Sequence, residues 1–204
     1  MITRANAIEL PATAGRPVIR EMGGWPVVEC FDRPEGGCAV GLTDLSHRPK
    51  AIVHGQAVAA LGLGRPGQAI WNGRSLAGCL KPREATVFDL TGPLEPRRTD
   101  DSHTDMTEGW VLLGLWGPRS LDVVQRLVTV DVEPRAVEGP LYFATSCHGL
   151  RVQLVNLRRS SPGFVLACSR SHGQNLFEAC LRAGQQFELK ITGTQAFDAW
   201  LAST

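Results

Sequence analysis

The 204-residue chain is 43% hydrophobic, enough to bury a full core, and its 21 Lys and Arg against 20 Asp and Glu leave a formal net charge of +1. That balance supplies no field to steer the protein toward nucleic acid or anionic lipid, so a nucleic-acid binder is excluded on charge. No run of about eighteen apolar residues suggests a membrane span, and Arg4, Glu9, Arg16, Arg20 and Glu21 interrupt any secretory leader, so a cytoplasmic protein is expected. Six cysteines (Cys30, Cys38, Cys79, Cys147, Cys168 and Cys180) lack Cys-x-x-Cys pairing and read as free thiols with a packing role.

Residues 1–24 show little periodicity and contain Pro11, Gly15, Pro17 and Gly23-Gly24, which predicts a poorly ordered or partner-dependent lead-in ahead of one domain over 25–204. Val27 to Phe31 reads as a strand, residues 32–37 as a turn, and Cys38 to Leu42 as a second strand, together a hairpin. After the polar segment Thr43 to Arg48, a strand from Ala51 to Val53 ends at Gly55 and a short helix follows from Gln56. Gln68 to Asn72 and Thr86 to Leu90 are further short strands, and residues 91–108, with Pro93, Pro96, Arg97 and Arg98, form a connection between two halves. Val111 to Trp116 is a buried strand stopped by Gly117-Pro118. Pro118 suits the first helical position, and Leu121, Val124, Leu127 and Val128 give the helix one apolar face. Leu141 to Ser146 and Leu150 to Leu157 flank a His148-Gly149 turn, and Gly163 to Cys168 is another apolar strand. A helix from Gly173 to Ala183, capped by Ser171 and closed by Gly184, precedes a half-buried strand over Phe187, Leu189 and Ile191; Phe197, Trp200 and Leu201 cap the core from a terminal helix. Two strand-Gly-helix units about sixty residues apart predict an α+β fold of duplicated strand-and-helix halves, over about 25–95 and 105–204, with mainly antiparallel sheets.

Few residues invite chemistry. Asp44, Ser46, His47 and His54 fit an acid/base reading, but in a polar turn Asp and Ser ordinarily bond the local backbone and His faces water. Cys147-His148 are adjacent on a strand and so point to opposite faces, which leaves Cys147 a packing thiol. Cys168, His172 and Cys180 lack paired ligand spacing, so no metal is expected. Gly62-x-Gly64-x-x-Gly67 matches a dinucleotide fingerprint in letters but not in strand and helix context. Arg97-Arg98 and Arg158-Arg159 suit carboxylate or phosphate, or simply solvent, and Trp71 beside a Gly-rich bend suits stacking on a flat heterocycle or a place in the core.

Several segments together resemble the folate-binding region of the glycine-cleavage T-protein (aminomethyltransferase) family. Gly41-Leu-Thr-Asp-Leu-Ser-His-Arg-Pro-Lys50 is similar to the family's Gly-Leu-x-Asp-Leu-Ser-His-x-Gly-Lys run. Gly67-Gln-Ala-Ile-Trp-Asn72 resembles a Gly-Gln-Ala-x-Tyr-Thr segment, with Trp71 where the family has a folate-contacting tyrosine. Thr104 to Ser120 is similar to a run ending in Leu-x-Gly-Pro-x-Ala, and residues 149–184 follow the last strand pair and helix. The resemblance admits tetrahydrofolate as a ligand stacked on Trp71, and the chemistry of Arg158 or Arg159 suits its tail carboxylates. The departures imply lost chemistry. The family's Asp-Asp strand corresponds to Ser75 to Phe88, which holds no Asp, so no catalytic residue is expected; the family's Tyr-Thr-Gly-Glu-x-Gly-Phe-Glu loop, which supplies a glutamate to the pterin ring, retains only Gly163-Phe164, so that pterin contact is lost as well. The chain ends at Thr204, without the full enzyme's C-terminal barrel domain. A stand-alone domain of this size resembles the gamma-subunit family of heterotetrameric sarcosine oxidases. This implies a companion subunit in one-carbon or methylated-amine metabolism, with partner subunits or copies of itself, and as the alternative a folate-dependent aminomethyltransferase-like enzyme.

Overall fold

A computed structural model describes residues 4–35, 37–91, 101–133 and 138–203. Residues 92–100 of the expected connection between the halves, including Pro93, Pro96, Arg97 and Arg98, lie outside the described residues. The strands are β1 (Pro17–Met22), β2 (Trp25–Phe31), β3 (Val40–Asp44), β4 (Lys50–His54), β5 (Ala69–Asn72), β6 (Ser75–Lys81) and β7 (Glu84–Asp89), then β8 (His103–Asp105), β9 (Trp110–Trp116), β10 (Leu141–Cys147), β11 (Leu150–Asn156), β12 (Gly163–Ser169) and β13 (Leu189–Thr192). The helices are α1 (Gln56–Ala60), α2 (Ser120–Leu127), α3 (Gly173–Gly184) and α4 (Thr194–Ser203).

Among the described residues, a six-stranded sheet runs β10-β11-β12-β9-β3-β13 and a five-stranded sheet runs β5-β6-β7-β4-β8, with β1-β2 a separate ribbon. Only the β13–β3 pair is parallel. The two large sheets share one order. In each, a strand (β4 or β9) leads through a glycine with positive φ (Gly55, 68°; Gly117, 109°) toward a helix, and the third strand of a meander returns to pair antiparallel with that first strand. The strand just ahead of each unit is exchanged: β3, which precedes β4, pairs with β9, and β8, which precedes β9, pairs with β4. The halves are therefore interlocked.

Period-2 alternation explains the layers. Along β9, Val111, Leu113 and Leu115 enter a core covered by α2 and α3, while Leu112 and Trp116 enter a second core facing the other sheet. Strand β12 alternates likewise, with Phe164, Leu166 and Cys168 against Val165 and Ala167. The second core is completed by Leu76 and Phe88 of the five-stranded sheet, Tyr142 of β10, and Phe197, Trp200 and Leu201 of α4. A third, smaller core of Val53, Ala77, Cys79, Ala85 and Val87 lies on the outer face of the five-stranded sheet, under Val58 of α1. A strand buried on both faces must be apolar at consecutive positions, which is why β9 reads as an unbroken apolar run.

The expected β2–β3 hairpin does not form. β2 pairs instead with β1, within the supposed lead-in, and Met22 faces Trp25 across a two-residue Gly23-Gly24 turn with φ of 58° and 84°. Double positive φ matches the twist of a tight hairpin, so the Gly-Gly pair marks a turn rather than disorder. Further back, Ile8 and Ala14 are buried against the core, so the lead-in carries ordered structure. Helix α2 begins at Ser120, two residues later than expected, because Gly117-Pro118-Arg119 make the turn out of β9. Helix α3 has no side-chain cap from Ser171, and Gly184 lies inside it. The chain continues through a 3-10 turn, Gln185–Phe187, and Glu188 takes the left-handed position at φ 55°. The strand expected to include Phe187 therefore starts at Leu189.

Candidate functional site

Two places concentrate polar and aromatic groups away from ordinary surface. The first is the β5–β6 hairpin, where Trp71 stands opposite Leu76. The Arg159 guanidinium lies over the Trp71 ring, 4.5 Å from its centroid. Arg159 Nε is buried without a hydrogen-bond partner, so the indole face is what meets that part of the cation. Trp71 also walls an open groove of about 1010 Å³ between the Gly-rich residues 62–70 and residues 138–143. The groove floor is where the two sheets join: Tyr142 N–H donates to Gly67 O at 2.9 Å, and Gln68 bridges to Leu141. Tyr142 is buried against Gly78, where a Cβ would stand 2.2 Å from Tyr142 Cδ2, so only glycine lets β10 approach the hairpin. Its hydroxyl donates to Gln153 Oε1 at 3.0 Å, and burial pushes its pKa up to about 12.

Of the three residues predicted to meet a ligand, the structure thus brings Trp71 and Arg159 into contact, although they are far apart in sequence. Arg158 is fixed differently: its backbone takes φ 48° and its N–H donates to Asn156 Oδ1 at 2.9 Å. The wall beside Trp71 is apolar. Leu76, Ala77, Gly78 and Cys79 of β6 are all buried, and the carboxylate at the end of β7, Asp89, pairs with Ser75 and accepts a hydrogen bond from its hydroxyl.

The second place is the segment from Thr43 to Lys50, which leaves β3 and enters β4. Lys50 is fully buried, and its Nζ donates to the carbonyls of Ser46 (2.7 Å) and Arg48 (2.8 Å). Burial lowers its pKa to about 7, against the opposing pull of Asp44. Asp44 Oδ1 accepts the Ser46 N–H at 2.9 Å, and Ser46 Oγ accepts the Leu112 N–H at 3.1 Å. Burial raises the Asp44 pKa. His47, expected to face water, is only 7% exposed, and burial together with the neighbouring Arg48 and Lys50 charges lowers its pKa to about 3. The strap of residues 4–10 and strand β2 cover it, which local composition does not reveal. Asp44 does bond local backbone, whereas the Ser46 hydroxyl reaches Leu112 of β9, so the segment is a buried polar knot holding β3, β4 and β9 in register.

The remaining sequence candidates separate. Cys147 is buried and burial raises its pKa, while His148 sits on the exposed turn. Cys168 is buried and His172 exposed, and among the described residues no group of three His, Cys, Asp or Glu is placed to hold a metal ion. After Gly67 the chain enters strand β5, not a helix, so the Gly62-x-Gly64-x-x-Gly67 pattern forms no dinucleotide turn. Two features escaped the sequence reading: the buried amine of Lys50, which looked like the polar start of a strand, and the Tyr142–Gln153 pair.

The model of the GCVT N-terminal domain family matches residues 88–201. The chain belongs to that family. No curated protein matches this GCVT-domain chain. Among solved structures it is similar to a heterotetrameric sarcosine oxidase from Corynebacterium sp. U-96, in complex with pyrrole 2-carboxylate. The identity is 17% and the TM-score 0.60, over 75% of this chain and 87% of that one. It is also similar to the glycine cleavage system aminomethyltransferase T from Bartonella henselae, at 17% identity and a TM-score of 0.62, over 92% of this chain and 58% of that one. Both likenesses show the same mixed α+β fold with mainly antiparallel sheets.

Proposed function

We propose that this GCVT-domain chain is a subunit or accessory protein of one-carbon or methylated-amine metabolism that contributes an interface rather than a reaction. The observation that carries this reading is the make-up of the Trp71 neighbourhood. Its inner wall, Leu76 to Cys79, has no carboxylate, and Arg159 already lies on the indole. Proton transfer at an amine or a pterin needs a positioned acid or base within hydrogen-bond reach; that wall supplies no carboxylate, Asp89 beside it is bonded to the Ser75 hydroxyl, and Glu138 lines the groove on its other side. The near-full coverage of a chain from a heterotetrameric sarcosine oxidase supports a role among partner subunits. We place the protein in the cytoplasm; six free cysteines suit a reducing compartment, and among the described residues no helix is long and apolar enough to cross a membrane. Affinity capture of the tagged chain from its native cells, followed by native mass spectrometry, is expected to return it with other polypeptides. Recovery of the chain alone, at its own monomer mass, contradicts the proposal.

A second reading is favoured by one observation, the groove of about 1010 Å³ along Trp71. An indole edge, a cation and a space of that size suit tetrahydrofolate binding without catalysis, with Trp71 as platform and Arg159 or Arg158 against the carboxylate tail. Full aminomethyltransferase activity would need a positioned acid, and the carboxylate that lines this groove, Glu138, belongs to the segment ahead of β10 and not to β6. Calorimetry with tetrahydrofolate separates the readings: micromolar affinity abolished by Trp71→Ala supports retained binding, and no heat at millimolar ligand supports a purely structural role.

A further inference from the structure

Residues 4–10 form a strap across the outside of the polar knot, and beneath it lie two small cavities that share His47 as a wall. One, of about 30 Å³, lies between Asn6, Ile8 and Leu10 of the strap and Asp44, Ser46 and His47. The other, of about 120 Å³, is bounded by Arg4, Trp25, His47, Asp105 and Glu108. In the second cavity Arg4 is held as a ligand would be. Its Nε meets Glu108 Oε1 at 2.6 Å, its NH1 donates to Gly23 O at 2.5 Å, and its guanidinium lies 5.7 Å from the Trp25 ring centroid. A carboxylate, a backbone carbonyl and an indole face are the groups that recognise an organic cation.

The other groups facing this space fit the same ligand. Asp105 brings a second carboxylate, oriented by Thr107 N–H (2.8 Å) and Thr107 Oγ1 (2.6 Å). His47 is 7% exposed, and burial keeps its ring neutral. Two other cations stand close by. Arg170 lies 5.1 Å from the Trp25 centroid and donates to Ala5 O, while Lys50 points to the Ser46 and Arg48 carbonyls. Without Arg4 the wall keeps two carboxylates, Glu108 loses its paired cation, and Trp25 keeps Arg170 on its ring. The Arg4 and Glu108 side chains are 32% and 66% exposed, so this pair exchanges with solvent easily.

We propose that this cavity is a binding site for a small organic cation, an alkylguanidinium or alkylammonium, and that the strap is its built-in competitor, with Arg4 as the resident occupant. The proposal stands apart from the Trp71 groove and from the accessory-subunit reading. A space of about 120 Å³ is present with Arg4 in place, and removing the Arg4 side chain adds the room its guanidinium fills, so a cation carrying one or two methyl groups fits.

The test is calorimetric titration of methylguanidinium chloride, with sodium chloride at equal ionic strength as control, into wild type, Arg4→Ala, Arg4→Met and Arg4→Ala/Glu108→Gln. The proposal expects both Arg4 variants to bind methylguanidinium at least ten-fold more tightly than wild type, and the Glu108→Gln double variant to lose that gain. Arg4→Met keeps the aliphatic stem, so it answers the question if the alanine variant folds poorly. Equal affinity in wild type and Arg4→Met, or a gain that survives Glu108→Gln, overturns the proposal.

Discussion

Replacing Lys50 by methionine tests whether an amine is held in the core against its own desolvation. Lysine in the unfolded chain titrates near 10.5, and in the folded GCVT domain burial brings Lys50 down to about 7. Between those values the unfolded chain binds the proton and the native state does not, so wild-type stability must rise with pH above about 7 and level off near 10.5. Over the window from pH 7 to 8.5 the gain is about 1–2 kcal/mol by linkage. Burial also raises the thiols of Cys147, Cys168 and Cys180, which makes stability fall at higher pH, but that contribution is common to wild type and variant and cancels in the difference. The Lys50→Met variant leaves the Ser46 and Arg48 carbonyls without their Nζ donor, an offset of about 1–3 kcal/mol that does not change over this window. Urea unfolding at half-unit pH steps should therefore show wild type gaining stability relative to Lys50→Met as pH rises. Parallel curves would refute the argument and mean that the amine stays charged in the fold.

Further expectations follow from the same geometry. His47 is held neutral with a pKa of about 3, so its contribution to stability is present at pH 7 and is lost as pH falls from about 6.5 toward 3; Asp44, whose pKa is raised, acts in the opposite sense, and His47→Phe should unfold at lower pH than wild type in an acid titration followed by circular dichroism. Gly78→Ala puts a Cβ 2.2 Å from Tyr142 Cδ2, and urea unfolding should show a loss of about 1–3 kcal/mol. Arg159→Ala uncovers the Trp71 face and should cost about 0.5–2 kcal/mol, with a shift in tryptophan emission that is absent when Trp71 is first replaced by Phe.

The sequence revealed those parts of the fold that local chemistry dictates. The apolar run of β9, its stop at Gly117 and the helix beyond are legible because a doubly buried strand cannot hide its composition. The β10–β11 hairpin is legible because His148-Gly149 supplies two positive φ values, 48° and 84°. The Gly23-Gly24 turn carried the same signal and was overlooked, since proline and glycine around it imitate a disordered leader. Exchange of β3 and β8 between the sheets was beyond reach: adjacent apolar strands carry no mark of which partner they choose, and that choice depends on the whole packed body. At the candidate site the same limit applies. Trp71 and Arg159 could each be singled out from their neighbours, but their stacking depends on the hairpin meeting a loop that follows β11. The burial of Lys50 and His47 depends on cover from the strap, β2 and β9, none of it written in the segment itself.

The central proposal is that this GCVT-domain chain works within an assembly, on a scaffold whose β6 wall beside Trp71 carries no carboxylate. Native mass spectrometry of the protein captured from its own cells, under gentle ionic conditions, tests that claim most directly. The expected result is a defined complex in which the chain is stoichiometric with at least one different polypeptide. A chain that emerges alone, as a monomer that turns over tetrahydrofolate and an aminomethyl donor, would contradict it.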